Sequence, residues 1–207
     1  MLRIDLCSGD TLMRHRHFKT LLVLIIGGLL SMALIAAAQD TPQELPTPNE
    51  HMQDLAWFIG EWDVKSRMLM DAAKDEWLEE DLHTIHTYEL GGNIIFEHFI
   101  GPLAGNPFEA WSLRKYNVNT GRWEQRWVDT DPGGFANWLG TWDAETNSFT
   151  GYAMRFIDDN FALTGDNGAR EVFDNITEDS FAWRYETTSD GGATWTVTWT
   201  LDYVRAE

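Results

Sequence analysis

From residue 60 onward the chain is built of short segments in which apolar and polar side chains take turns, and this period of two leaves room for little but antiparallel sheet. The last segment shows it most sharply: Trp195, Val197, Trp199, Leu201 and Tyr203 alternate with Thr194, Thr196, Thr198, Thr200 and Asp202. Near the start, Trp62, Val64, Ser66, Met68 and Met70 lie opposite Glu61, Asp63, Lys65 and Arg67. Between them, further segments run from Trp77 to Leu90, Asn93 to Ile100, Phe108 to Tyr116, Arg122 to Asp129, Phe135 to Trp142, Phe149 to Ile157, Ala169 to Ile176 and Phe181 to Thr187. Turn residues interrupt the pattern about every ten residues, which gives about ten strands. No segment beyond Phe58 carries a long helical period. Sequential hairpins without a crossover helix form a meander, and a meander this long hides its edges only by closing. The expected fold is all-β: a closed antiparallel up-and-down barrel over residues 52–207.

The residues ahead of the barrel read as export machinery. Arg14, His15, Arg16, His17 and Lys19 precede an apolar run from Leu21 to Ile35, which ends in Ala36-Ala37-Ala38. Basic start, apolar middle and A-x-A end make a signal peptide over residues 1–38, with a periplasmic or secreted destination. An uncleaved anchor is the alternative; the Ala triplet and the polar stretch behind it favour cleavage. Met1 to Leu12 fit no part of a leader, as if the start site had been placed too early, and Met13 begins a better one. Residues 39–51, with Pro42, Pro46 and Pro48, read as an extended linker, and His51 to Phe58 as a helical turn into the first strand.

Charge and cysteine narrow the partners. Of 15 basic and 33 acidic side chains, the leader removes Arg3, Arg14, Arg16, Lys19, Asp5 and Asp10, so the mature chain stands near −20. Such a surface repels phosphate backbones and anionic membranes, which argues against nucleic acid and, after cleavage, against membrane. The single cysteine, Cys7, lies in the leader, so the mature chain has no thiol chemistry. Eleven Trp is far above ordinary usage and suits a barrel wall or a ligand cavity.

Gly60-Glu61-Trp62 at the head of the first strand resembles the G-x-W signature of lipocalins, in which the Trp closes the barrel base and a late Arg stacks on it. Arg205 has the parity for that part. Phe58 to Trp62, Leu90-Gly91-Gly92, Asn117 to Gly121, Leu139 to Asp143 and Trp195 to Arg205 together resemble the bacterial domain of unknown function 1579 family, over about residues 52–205. That resemblance implies a lipocalin-like or fatty-acid-binding-type (calycin-like) barrel and no established activity. Thr188 to Trp195 fits the Asp-box pattern Ser/Thr-x-Asp-x-Gly-x-Thr-Trp, with Asp190 bonding turn amides and Trp195 folded under the hairpin. Sialidases repeat this box on several blades; one copy reads as a hairpin clasp and not as glycosidase machinery. Nitrobindin-type barrels hold haem through a late histidine, and none follows His98 here, so no cofactor is expected.

Candidate chemistry is sparse. If Gly91-Gly92 is a two-residue loop, His86 faces Glu97 across the ladder as a conceivable acid–base pair. His83 faces Ile100 and lies diagonal to His98, a weak two-ligand metal candidate. The parity of this hairpin stays open: Leu82, His86, Tyr88, Ile95 and Phe99 compete with Ile85, Ile94, Phe96 and Ile100 for the interior. On the following strands Ser112, Arg114, Gln125, Trp127 and Asp129 turn inward. A guanidinium beside an amide and an indole can hold a ligand carboxylate or carbonyl, or pair internally with Asp129. With Met68, Trp183, Tyr185 and Trp199 these define a ligand site. The leading expectation is therefore an exported barrel that binds a small, partly hydrophobic molecule in an aromatic cavity. The alternatives are a non-catalytic envelope or partner-binding protein, and an enzyme using His86 and Glu97. Oligomeric state is not legible.

Overall fold

A computed structural model describes residues 45–207. The leader and residues 39–44 of the expected linker lie outside the described residues. Ten strands run in order: β1 (Gly60–Asp71), β2 (Glu76–Glu89), β3 (Ile94–Leu103), β4 (Asn106–Asn117), β5 (Arg122–Asp129), β6 (Ala136–Asp143), β7 (Ser148–Ala153), β8 (Gly168–Asp174), β9 (Ser180–Thr188) and β10 (Thr196–Arg205). Each pairs antiparallel with its sequence neighbours, and β10 returns to β1 to close the barrel. Closure leaves no open edge, the physical requirement that the hairpin pattern imposed.

One end is plugged. Asn49 caps a short 3-10 helix, Glu50–Phe58, by accepting the His51 amide at 3.0 Å. Its Met52, Leu55 and Phe58 sink into the barrel, each 2% exposed or less. Phe58 O accepts both the Trp62 indole N–H at 3.1 Å and His86 Nδ1 at 2.7 Å, so one carbonyl ties the plug to β1 and β2. Arg205 lies over the Trp62 ring at 4.2 Å and donates to Ile59 O and Glu178 O. Phe181 stacks on Tyr203 at 4.1 Å and meets Trp62 edge-on, which completes an apolar base.

Strict alternation fails in four places, each for a local reason. In β1 the register shifts between Leu69 and Asp71, and the extra residue, Met70, turns out to solvent. In β10 a second shift, between Val197 and Trp199, reverses parity. Val197 then pairs with outward Glu186, while Trp199, Leu201 and Tyr203 stay inside. Trp195 packs on the outer wall, over Arg170 at 4.2 Å and beside Tyr152. The strand expected to reach Ile157 ends at Ala153, where Met154–Phe156 form a 3-10 turn and Asp158 Oδ1 gathers the amides of Asn160 and Ala162. The Gly91-Gly92 connection is wider than two residues: Leu90, Gly91 and Gly92 all take positive φ, and β3 begins at Ile94. Its midpoint is unchanged, so His86 still faces Glu97 and His83 still faces Ile100.

Gly60 shows how tightly the base is built. It sits at φ +140°, and a Cβ there would stand 2.3 Å from Arg205 Nη1. Gly60→Ala is expected to cost about 1–3 kcal/mol in urea unfolding followed by Trp fluorescence. Adding Arg205→Ala should relieve the clash but leave the strained φ, so the double variant does not return to wild-type stability.

Candidate functional site

Pairing with β1 decides the parity left open for the β2–β3 hairpin. Trp62 and Val64, both inside, face Thr84 and Leu82. Thr84, His86, Ile95, Glu97 and Phe99 therefore point inward, and Ile85, Ile94, Phe96 and Ile100 form the outer wall.

Above the plug lies a layer of buried polar groups. Arg114 Nη1 donates to Glu97 Oε2 at 2.6 Å and to Ser112 Oγ at 2.7 Å, and Ser112 donates in turn to the same carboxylate oxygen at 2.7 Å. The guanidinium packs against the rings of Phe58 at 4.6 Å and Phe173 at 5.4 Å, which meet each other edge-on. The His86 side chain is wholly buried, with Nε2 3.5 Å from Glu97 Oε1. Burial pushes the Glu97 carboxyl up, but the charges of Arg114 and His86 outweigh it and hold the group well below the usual carboxylate range. Across the barrel, Glu171 accepts the Trp183 indole N–H at 3.2 Å. Burial pushes its carboxyl up, against the pull of Arg114. Burial likewise holds the Tyr203 phenol well above its ordinary value. Oε1 of Glu171 and Oε1 of Gln125 find no hydrogen-bond partner among the described residues.

Over this layer sits a cavity of about 300 Å³. Glu97, Arg114, Gln125, Glu171 and Tyr203 make its floor, and Phe108, Trp127, Trp138, Trp183, Tyr185 and Trp199 its walls. Asp129, Asp131 and Ala136 line it at the β5–β6 connection, the end away from the plug. Trp183 and Trp199 meet edge-to-face at 5.0 Å, and Trp199 is oriented by an indole bond to Ser66 Oγ at 2.9 Å.

Of the residues expected to form a ligand site, Arg114, Gln125, Trp127, Trp183, Tyr185 and Trp199 share this cavity. Two do not. Ser112 is fully buried behind the floor, spent on Glu97 and Arg114, and Met68 lies off the cavity wall, half-buried opposite Trp199 and Leu78 on the paired strands. Arg114 pairs with Glu97 and not with Asp129, which instead takes the Trp127 indole N–H at 2.7 Å. His83 and His98 stand on the outer wall with separate carboxylate partners: Asp63 at 3.3 Å and Glu109 at 2.7 Å. No group of three metal-ligating side chains forms among the described residues. Asp190 accepts from Thr188, from the Thr194 amide and from the Thr194 hydroxyl, clasping the β9–β10 turn.

Sequence reasoning missed Glu171, Trp138 and Phe108. Glu171 carried a usable signal, since Ala169, Glu171 and Phe173 share one parity and a carboxylate on an apolar face marks an interior site. It lies close over Gly151, where a Cβ would meet Oε1 at 2.7 Å.

Two stability experiments test this layer. Glu97→Gln or Arg114→Met alone leaves a buried charge without its partner and should cost about 3–5 kcal/mol, whereas Glu97→Leu with Arg114→Met should recover most of the loss in denaturant unfolding. Glu171 has a folded-state pKa above its unfolded value, so its burial is tolerated below the unfolded pKa and loses stability as pH rises toward the folded pKa. Glu171→Gln should therefore raise Tm at pH 7 by about 2–4 °C, the effect of roughly 1 kcal/mol in a domain of this size, with the gap closing toward pH 4.

No curated protein matches the chain. The profile of the family described as "Protein of unknown function (DUF1579)" matches residues 47–205, and the chain belongs to that family.

Proposed function

We propose that the protein is an exported barrel that binds a small, partly hydrophobic molecule, released to the periplasm or cell exterior once residues 1–38 are removed, with residues 39–51 as linker. The observation that carries the binding reading is the cavity: aromatic walls over a polar floor, plugged at one end by Glu50–Phe58. A barrel serving only as a scaffold fills its interior with side chains. This one leaves space for a small ligand beside buried oxygens that lack partners. The His86–Glu97 couple supports binding better than catalysis. Glu97 is committed to Arg114 and Ser112, and His86 is sealed beneath it without access to the cavity. A proton-transfer group needs reach to a substrate atom.

The second reading, a partner-binding envelope protein, rests on a different surface. On the outer wall Trp111 is 50% exposed, meets Phe96 edge-on, and neighbours exposed Leu113.

Native mass spectrometry of the exported protein should show a co-purified small molecule, and the mature N-terminus should fall at Gln39. Ala136→Trp, which fills the cavity from the β5–β6 side, should abolish binding of the neutral dye Nile red by the purified barrel while leaving Tm within about 2 °C, as surface changes usually do. Equal dye binding by that variant, or no binding by the wild type, counts against a ligand barrel. A concentration-dependent dimer disrupted by Trp111→Ser would favour the partner reading instead.

A further inference from the structure

We infer that the cavity takes an organic cation, an amine or quaternary ammonium on an apolar body, in preference to a carboxylate. The inference rests on the binding reading and specifies its ligand. A guanidinium at the floor of such a barrel would ordinarily be taken as an anchor for an acidic headgroup. Arg114 serves that role poorly: its charge is met by Glu97 at 2.6 Å, its Nη1 is shared with Ser112, and Phe58 and Phe173 pack against the guanidinium. An incoming carboxylate would have to displace Glu97 or enter as another negative group beside it.

The remaining groups point the other way. The lining carries four carboxyl groups, Glu97, Asp129, Asp131 and Glu171, against the one guanidinium of Arg114. Glu171 and Gln125, 3% and 5% exposed, each hold a buried oxygen without a donor among the described residues, and Glu171 Oε1 lies against Gly151. A ligand bearing a diffuse positive charge is favoured by this excess of carboxyl groups; a carboxylate is opposed by it. The walls carry four indoles, Trp127, Trp138, Trp183 and Trp199, around one space, and indole is the best side chain for attracting a cation by its ring quadrupole. Desolvation strengthens that attraction inside a barrel. The acidic exterior acts in the same sense, concentrating cations at the cavity and repelling anions.

A matched trio separates the possibilities: octyltrimethylammonium, octan-1-ol and octanoate share one tail and differ in head charge. Titrated into the mature protein by calorimetry at physiological salt, the cation should bind about tenfold or more tighter than octanoate, with the alcohol between. In Glu171→Gln the cation's advantage over the alcohol should shrink about threefold or more while octanol affinity holds, and Asp129→Asn should shrink it less. Octanoate binding as tightly as the cation, or octanol binding with no preference for the cation, overturns the inference and leaves the ligand barrel intact. Undiminished cation binding by Ala136→Trp would place the cation on the acidic exterior and overturns it too. If none of the three binds, the ligand barrel itself falls.

Discussion

Glu97 and Arg114 are held out of water in the middle of the barrel, and the arrangement around them follows from that. Neither charge is tolerable there alone. Together they need a short contact, a hydroxyl to share the remaining valence and aromatic rings beside the guanidinium, and Ser112, Phe58 and Phe173 supply the last two. Phe58 connects this layer to the plug, because its carbonyl also fixes the rings of Trp62 and His86. The base of the barrel and the floor of the cavity are therefore one cooperative unit. Four chain segments, the 3-10 plug, β1, β2 and the β3–β4 hairpin, must arrive together for any of them to be satisfied.

The same pair divides the interior into two chemistries. Below it the space is filled by rings packed on one another. Above it the walls are equally aromatic but enclose an open space, and the buried oxygens of Glu171 and Gln125 stay without partners. Buried polar atoms without partners are not peculiar to the cavity, since Thr84, His86 and Trp123 outside its lining hold them too; the functional signal is the open space above the pair beside the filled interior below it.

Much of the architecture was legible from alternation and turns. The ten strands, the meander and the His86–Glu97 register follow from local pattern, since a period of two has only one structural meaning, and the Trp62–Arg205 contact follows from the resemblance to the lipocalin signature. Local pattern could not reveal what depends on non-neighbouring strands. The β10 bulge, which turns Trp195 outward, leaves no mark in a stretch of perfectly alternating letters. For Arg114 the sequence offers a ligand or Asp129 on the adjacent strand β5, and its partner Glu97 is not among these, because the inward face of the β2–β3 hairpin is open and Glu97 pairs on paper only with His86. Pairing β2 with β1 settles that face only once the bulge at Met70 is known, because a register continued straight from the turn would set Trp62 opposite Ile85 instead of Thr84. Glu171 went unnoticed because its strand was read for its ends and not for its parity.

The ring closes between β1 and β10, joining Trp62 to Arg205 from opposite ends of the domain. A chain emerging from its N-terminus can assemble hairpin after hairpin, but β1 must wait beside an unpaired flank until the last ten residues appear. During that interval the free flank of β1 is a template for any other extended chain. Glu61, Asp63, Lys65 and Arg67, set along its outer face, keep the waiting strand charged and hydrated. The row that looks like ordinary surface in the finished barrel is a guard against aggregation while the barrel is still open.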